Sequence, residues 1–197
     1  MPTGQRFARR ARSPASWADV AHYAISAIGA DRPGIVAAVT GALVEIGCNL
    51  EDTSMAILRG HFSMMLVVHV PAGVDVDKIE RSLDAATRAL ELIVVVRPID
   101  DGVPLSPLGD AWTVSVYGAD RPGIVHRVSA LLADAGVNVV DLTTHVIGDP
   151  DQPVYAMFLD VTVPAGVDPE RLSKRLVTLA GELGVSCTAH PAEADIL

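Results

Sequence analysis

The sequence predicts an α+β chain made of two copies of one βαββαβ module, each an antiparallel sheet with both helices on the same face. Three observations carry this. Gly29-Ala30-Asp31-Arg32-Pro33-Gly34-Ile35-Val36 recurs unchanged as Gly118-Ala119-Asp120-Arg121-Pro122-Gly123-Ile124-Val125, 89 positions later. Val70-Pro71-Ala72-Gly73-Val74-Asp75 returns as Val163-Pro164-Ala165-Gly166-Val167-Asp168, 93 positions later. Around these blocks both copies pass through the same succession of apolar periods, two for strands and near 3.6 for helices.

In the first strand of copy one, Tyr23, Ile25 and Ala27 alternate with Ala24, Ser26 and Ile28; in copy two, Trp112, Val114 and Val116 alternate with Thr113, Ser115 and Tyr117. The first helix follows, with Ile35, Val39, Leu43 and Ile46 on one face, matched by Ile124, Val128, Leu132 and Ala135. Pro33 and Pro122 are expected to open it, Gly47 and Gly136 to stop it. Two strands rich in Val, Met and Leu come next, over 50–58 and 61–70, then 138–147 and 154–163. The two offsets differ by four residues, which must sit in a loop: Gly148-Asp149-Pro150-Asp151-Gln152-Pro153 is the turn-rich place for them, where copy one has only Arg59-Gly60. The second helix carries Ile79, Leu83, Ala86 and Leu90 against Leu172, Leu176, Leu179 and Leu183, with Asp75 and Asp168 at its start, where carboxylates suit the helix dipole. A last strand, 92–97 and 185–189, closes each copy. One apolar stripe per helix requires both helices to cover one face of a four-stranded sheet, the ferredoxin-like arrangement.

Residues 1–18 hold Arg6, Arg9, Arg10 and Arg12 and no acid, which leaves 11 Lys and Arg against 24 Asp and Glu in the body, a formal charge of −13. So acidic a body argues against direct binding of nucleic acid, whose affinity rests on cations neutralising phosphates. The leader lacks the apolar segment of a secretory signal and is expected to be a disordered basic tail. The modules are then expected over 19–99 and 111–197, joined by a Pro- and Gly-rich linker over 100–110. Mean hydropathy is positive at +0.36, yet no apolar run approaches the roughly 18 residues of a membrane span. A soluble protein is expected, and Cys48 and Cys187, both in apolar stretches, are expected to be buried free thiols in a cytoplasmic setting.

The repeated turn is the candidate site. A helix N-terminus offers unpaired amide hydrogens and partial positive charge to an anion, and Gly34 and Gly123 let a ligand carboxylate approach. The same turn also serves as a well-made strand-to-helix connection, and duplication copies structural features as faithfully as functional ones. Asn49 and Asn138, just past each helix stop, could offer a donor and an acceptor to an amino acid; either also serves as a turn residue.

Gly-x-Asp-Arg-Pro-Gly-Ile, a helix and then Gly-x-Asn, set within βαββαβ, resembles the ACT domain over about residues 20–98 and 111–190. The resemblance implies amino-acid-binding regulatory modules, with the ligand held between the first turn of one copy and the second strand of its neighbour. It points to Asp31, Arg32, Pro33, Gly34, Ile35, Val36 and Asn49, and to Asp120, Arg121, Pro122, Gly123, Ile124, Val125 and Asn138. Two such domains in tandem resemble the repressor family of the glycine cleavage system, which implies a small amino acid as ligand, glycine or serine foremost, and action through a DNA-binding protein partner.

Other signals are set aside. The six His residues are dispersed without the close pairings of a zinc site, and no P-loop Lys, nucleophile elbow or paired-Cys motif occurs. His126, where copy one has Ala37, follows the repeated turn and is read as a solvent-facing helix residue that could tune copy two alone. Met55, Met64, Met65 and Met157 are read as core or interface filler. The sequence therefore predicts a regulator, not an enzyme, with no cofactor, metal, nucleic acid or membrane among its partners, and a homodimer through exposed sheet edges. The alternatives are an adaptor that binds proteins without a ligand, or a regulatory subunit of a separate metabolic enzyme. The longer hairpin around Pro150 and the change from Glu51 to Val140 predict two non-equivalent sites.

Overall fold

A computed structural model describes residues 21–99, 109–149 and 152–192. They form two compact units. The expected tail and most of the linker, with Pro150 and Asp151, lie outside the described residues. The first unit runs β1 (Ala21–Ala30), α1 (Ile35–Glu45), β2 (Asn49–Leu58), β3 (His61–Val70), α2 (Val76–Thr87) and β4 (Ile93–Ile99); the second runs β5 (Asp110–Gly118), α3 (Ile124–Asp134), β6 (Asn138–Asp149), β7 (Gln152–Val163), α4 (Pro169–Leu183) and β8 (Val185–Pro191). Each is βαββαβ, with strand order β2-β3-β1-β4 and β6-β7-β5-β8 and every neighbouring pair antiparallel.

The strand period sorts side chains between the two faces of each sheet. Ile25, Ala27, Phe62, Met64, Leu66 and Val68 are buried beneath α1 and α2 together with Ile35, Val39, Leu43, Ile79 and Leu83. The second unit repeats this with Val114, Val116, Met157, Leu159 and Val161 against Ile124, Val128, Leu132, Leu172 and Leu176. Cys48 and Cys187 are free and buried, as expected. The methionines divide: Met64 and Met157 are core, whereas Met55 and Met65 are about half exposed.

Two details lie beyond the apolar pattern. Edge strands β2 and β6 each carry an irregularity at the same place, between Leu50 and Asp52 and between Val139 and Asp141, so Glu51 and Val140 are the extra residues of matching bulges. The first hairpin closes on Arg59 and Gly60, both at positive φ (49° and 78°), the conformation of a tight turn whose twist matches the strands. In the second unit the four extra residues lengthen the hairpin, whose ladder continues to Asp149 opposite Gln152.

Candidate functional site

The repeated segment folds into the same local structure twice. Gly29 and Gly118 stand at the ends of the first strands; a Cβ at Gly29 would meet only the flexible tip of Leu92, at 2.5 Å, whereas one at Gly118 would come within 2.7 Å of Val185 Cγ1 and 3.0 Å of its Cα, so the close approach of β5 and β8 favours glycine there. Gly34 and Gly123 are the helix N-caps, both at φ 94°. Left-handed backbone of this kind strains any L side chain. Because the Gly takes that conformation, Pro33 and Pro122 stand one residue before the N-cap and not as the first helical residues expected from sequence; they bring the chain into the turn.

A glycine cap has no side-chain acceptor, and none is supplied from elsewhere. The first intrahelical bonds of α1 and α3 are Ala38 N to Gly34 O and Arg127 N to Gly123 O, both 2.9 Å. No side-chain acceptor meets the amide hydrogens of Ile35, Val36 and Ala37, or of Ile124, Val125 and His126, and neither first turn holds an acid; the hydrogen-bonded turns over Pro33-Gly34 and Pro122-Gly123 engage one amide of each set with a backbone carbonyl. The other two helices are built differently: the Asp75 carboxylate accepts from Lys78 N at 2.9 Å, and Asp168 accepts from Glu170 N and Arg171 N at 3.0 and 3.3 Å. A first turn without a side-chain cap can receive an anion, and among the described α-helices this arrangement opens α1 and α3 alone.

In the first unit, Asp31, Arg32, Pro33, Gly34, Ile35, Val36 and Ala37 line a depression of about 510 Å³ whose other walls are Met55 of β2 and Phe62 of β3. Asp31 N is fixed to Gly60 O at 2.9 Å, which ties the turn to the first hairpin. Register gives the matching positions of the second unit: Met55 pairs with Met64 and Thr144 with Met157, while Phe62 corresponds to Tyr155. Tyr155 is buried, and its hydroxyl is pushed to higher pKa by burial first and by the nearby Asp120 carboxylate second. Sequence periodicity did not place Met55 and Phe62 beside the turn, nor Thr144 and Tyr155 at the matching positions. The 93-residue offset that matches Phe62 to Tyr155 was the available signal, but the face of β2 turned to the helix is fixed only by the register with β3.

The motif arginines reach elsewhere. Arg32 pairs with Glu91 at 3.0 Å, and Arg121 donates to the Leu183 carbonyl at 3.2 Å. The two asparagines lie apart from the turn of their own unit. Asn49 pairs with His69 at the opposite end of β3 from Phe62, and the six residues separating it from Met55 span ~20 Å of extended strand. Asn138, opposite Thr162, is placed in the same way. One unit therefore does not bring its turn and its Asn together. A groove of about 450 Å³ between α3 and α4 is lined by Arg127, Arg171, Lys174 and Arg175, but Arg127 and Arg175 are held by Glu182 and Asp134 at 2.5 and 2.7 Å. The described residues include no cluster of His, Cys, Asp and Glu suited to a metal ion, and no described helix is long and apolar enough to cross a membrane.

Residues 22–97 match a family model of the ACT domain, and residues 112–175 match a second one. The chain belongs to the ACT-domain family. As a tandem ACT protein it resembles the glycine cleavage system transcriptional repressor of Escherichia coli strain K12, with 28% identity over 165 residues that take in 82% of this chain and 86% of that protein. A UPF0237 protein of Methanopyrus kandleri is 40% identical over 77 residues, 39% of this chain and 86% of its own length. Among solved structures, an unknown protein from Galdieria sulphuraria has a TM-score of 0.77 at 28% identity, with 88% of this chain and 99% of that chain covered. Two ACT units with bare helix N-termini at the same turn are thus the setting for any functional reading.

Proposed function

We propose that this protein is a regulator, not a catalyst, whose two repeated turns each hold the carboxylate of a small amino acid. The observation that carries the reading is the pair of glycine-capped first turns whose amides meet no side-chain acceptor, the first of them beside a depression of the right scale for a metabolite. Asp31 and Asp120 stand at the same turns, where a carboxylate suits a ligand ammonium. Asn49 and Asn138 complete a site only when supplied by a second copy, so the reading includes a homodimer. Signalling follows if the bound arrangement presents a different surface to a protein partner, because a ligand shifts only those states that it binds unequally. The relation to the glycine cleavage repressor supports a transcription factor as that partner and glycine or serine as ligands.

Calorimetry with glycine, serine and the branched-chain amino acids tests this, with ethanolamine as the control that keeps serine's amine and hydroxyl and lacks its carboxylate. Heat with an amino acid and none with ethanolamine is expected, with Asn49→Ala or Asn138→Ala weakening binding about tenfold, the value of one hydrogen bond to a charged group. Equal binding of ethanolamine removes the carboxylate from the proposal. Silence with every amino acid favours the ligand-free adaptor.

A further inference from the structure

The two turns are alike in backbone but face different walls. Three matched positions differ, all in the same sense: Ala37 becomes His126, Met55 becomes Thr144 and Phe62 becomes Tyr155. In the first unit the depression has an apolar floor of Ile35 and Phe62, with Val36 and the half-exposed Met55 at its rim. In the second, Tyr155 is only 8% exposed. Register places Thr144 two residues from Val146, the partner of Tyr155, so the two hydroxyls share one face of β6 and β7. Each hydroxyl can both donate and accept, where module one has a thioether and a phenyl ring. The Asp120 carboxylate lies close enough to act on the same phenol. Two hydroxyls at matched wall positions suit a ligand group that both donates and accepts.

Resting on the amino-acid reading above, we infer that the two modules select different ligands: the Met55 and Phe62 wall takes a small aliphatic side chain, whereas the Thr144 and Tyr155 wall takes a hydroxyl-bearing one. The polar wall is the more selective. An apolar pocket distinguishes a methylene or a hydroxyl only modestly, but a site built to bond a hydroxyl leaves its own buried groups unpaired when a ligand lacks one.

Titration of the full chain with serine, threonine, alanine and valine, followed by the backbone amide resonances of Val36 and Val125, reads each module separately. Serine and threonine are expected to shift Val125 at concentrations at least tenfold below alanine and valine, and Val36 to show the reverse order. Tyr155→Phe, which places in module two the residue module one already uses there, is expected to abolish the hydroxyl preference at Val125 and leave Val36 unchanged; Thr144→Val is the second variant for the same loss. Met55→Thr with Phe62→Tyr is expected to move the preference to Val36. One shared order of preference at both amides, or its survival in Tyr155→Phe, overturns the inference while leaving the amino-acid sensor intact. The absence of any shift with all four ligands overturns the inference, and its absence with glycine as well overturns both.

Discussion

Gly123 and Asp168 solve the same problem, how to begin a helix, in opposite ways. Asp168 fills the orphan amides of α4 with its own carboxylate, and its replacement by Ala is expected to cost about 1 kcal/mol in urea unfolding. Gly123 supplies no acceptor and is held at φ 94° with open space around its missing side chain. Gly123→Ala should therefore cost about 1–2 kcal/mol through backbone conformation alone. Gly123→Asn, which tolerates the left-handed region better, should recover part of that; equal loss in the two variants would point to steric crowding. Cys187 gives a pH test at the same scale. Burial pushes its thiol from an ordinary value of 9.0 up to about 11. The folded protein therefore holds its proton more tightly than the unfolded chain. The stability linked to that proton is intact below pH 9 and is lost as pH rises from 9 through 11. Thermal melts between pH 8 and 11 are expected to show this fall, and Cys187→Ala to flatten it.

Helix ends and strand edges decide how faithfully the duplicated element works. Arg121 lies against Gly184, whose added Cβ would come within 2.8 Å of the guanidinium, and donates to the last turn of α4, where a cation meets the negative end of the helix dipole. The matching Arg32 instead forms an exposed ion pair with Glu91. Arg121→Met is expected to destabilise by about 1 kcal/mol and Arg32→Met by less than about half of that, since exposed pairs contribute little. Similar losses from both substitutions would show that the ion pair matters more than its exposure implies. The bulges at Glu51 and Val140 belong to the same scale. They interrupt both edge strands at matched places, which limits pairing along the full edge and directs any association to the remaining segments.

At the scale of the whole molecule the chain holds two hydrophobic cores, each closed within its own sheet and helix pair. Leu66 is fully buried in the first. Leu66→Ala is expected to cost about 2–5 kcal/mol and to strip hydrogen-exchange protection from β1 and β3 while β5 and β7 keep theirs. Loss of protection in both units together would show that they unfold as one. The body's formal charge of −13 belongs to this scale too. It opposes phosphate contacts over the surface at large, so a genetic role is expected to run through a protein partner.

The sequence alone determined the architecture, because the repeat fixes the number of modules and the periods of two and 3.6 fix which face each element buries. Ile35, Val39 and Leu43 had to lie together, and they do. It also located both turns, since a Gly required at positive φ leaves the same mark in each copy. Tertiary structure decided what surrounds those turns. Only strand register places Met55 and Phe62 beside one turn and gives Thr144 and Tyr155 the matching positions in the second unit, and only the run of β2 carries Asn49, six positions before Met55, to the far end of the strand from that turn. A local period records which side of an element is apolar. It does not record which residue of a distant strand that side will meet.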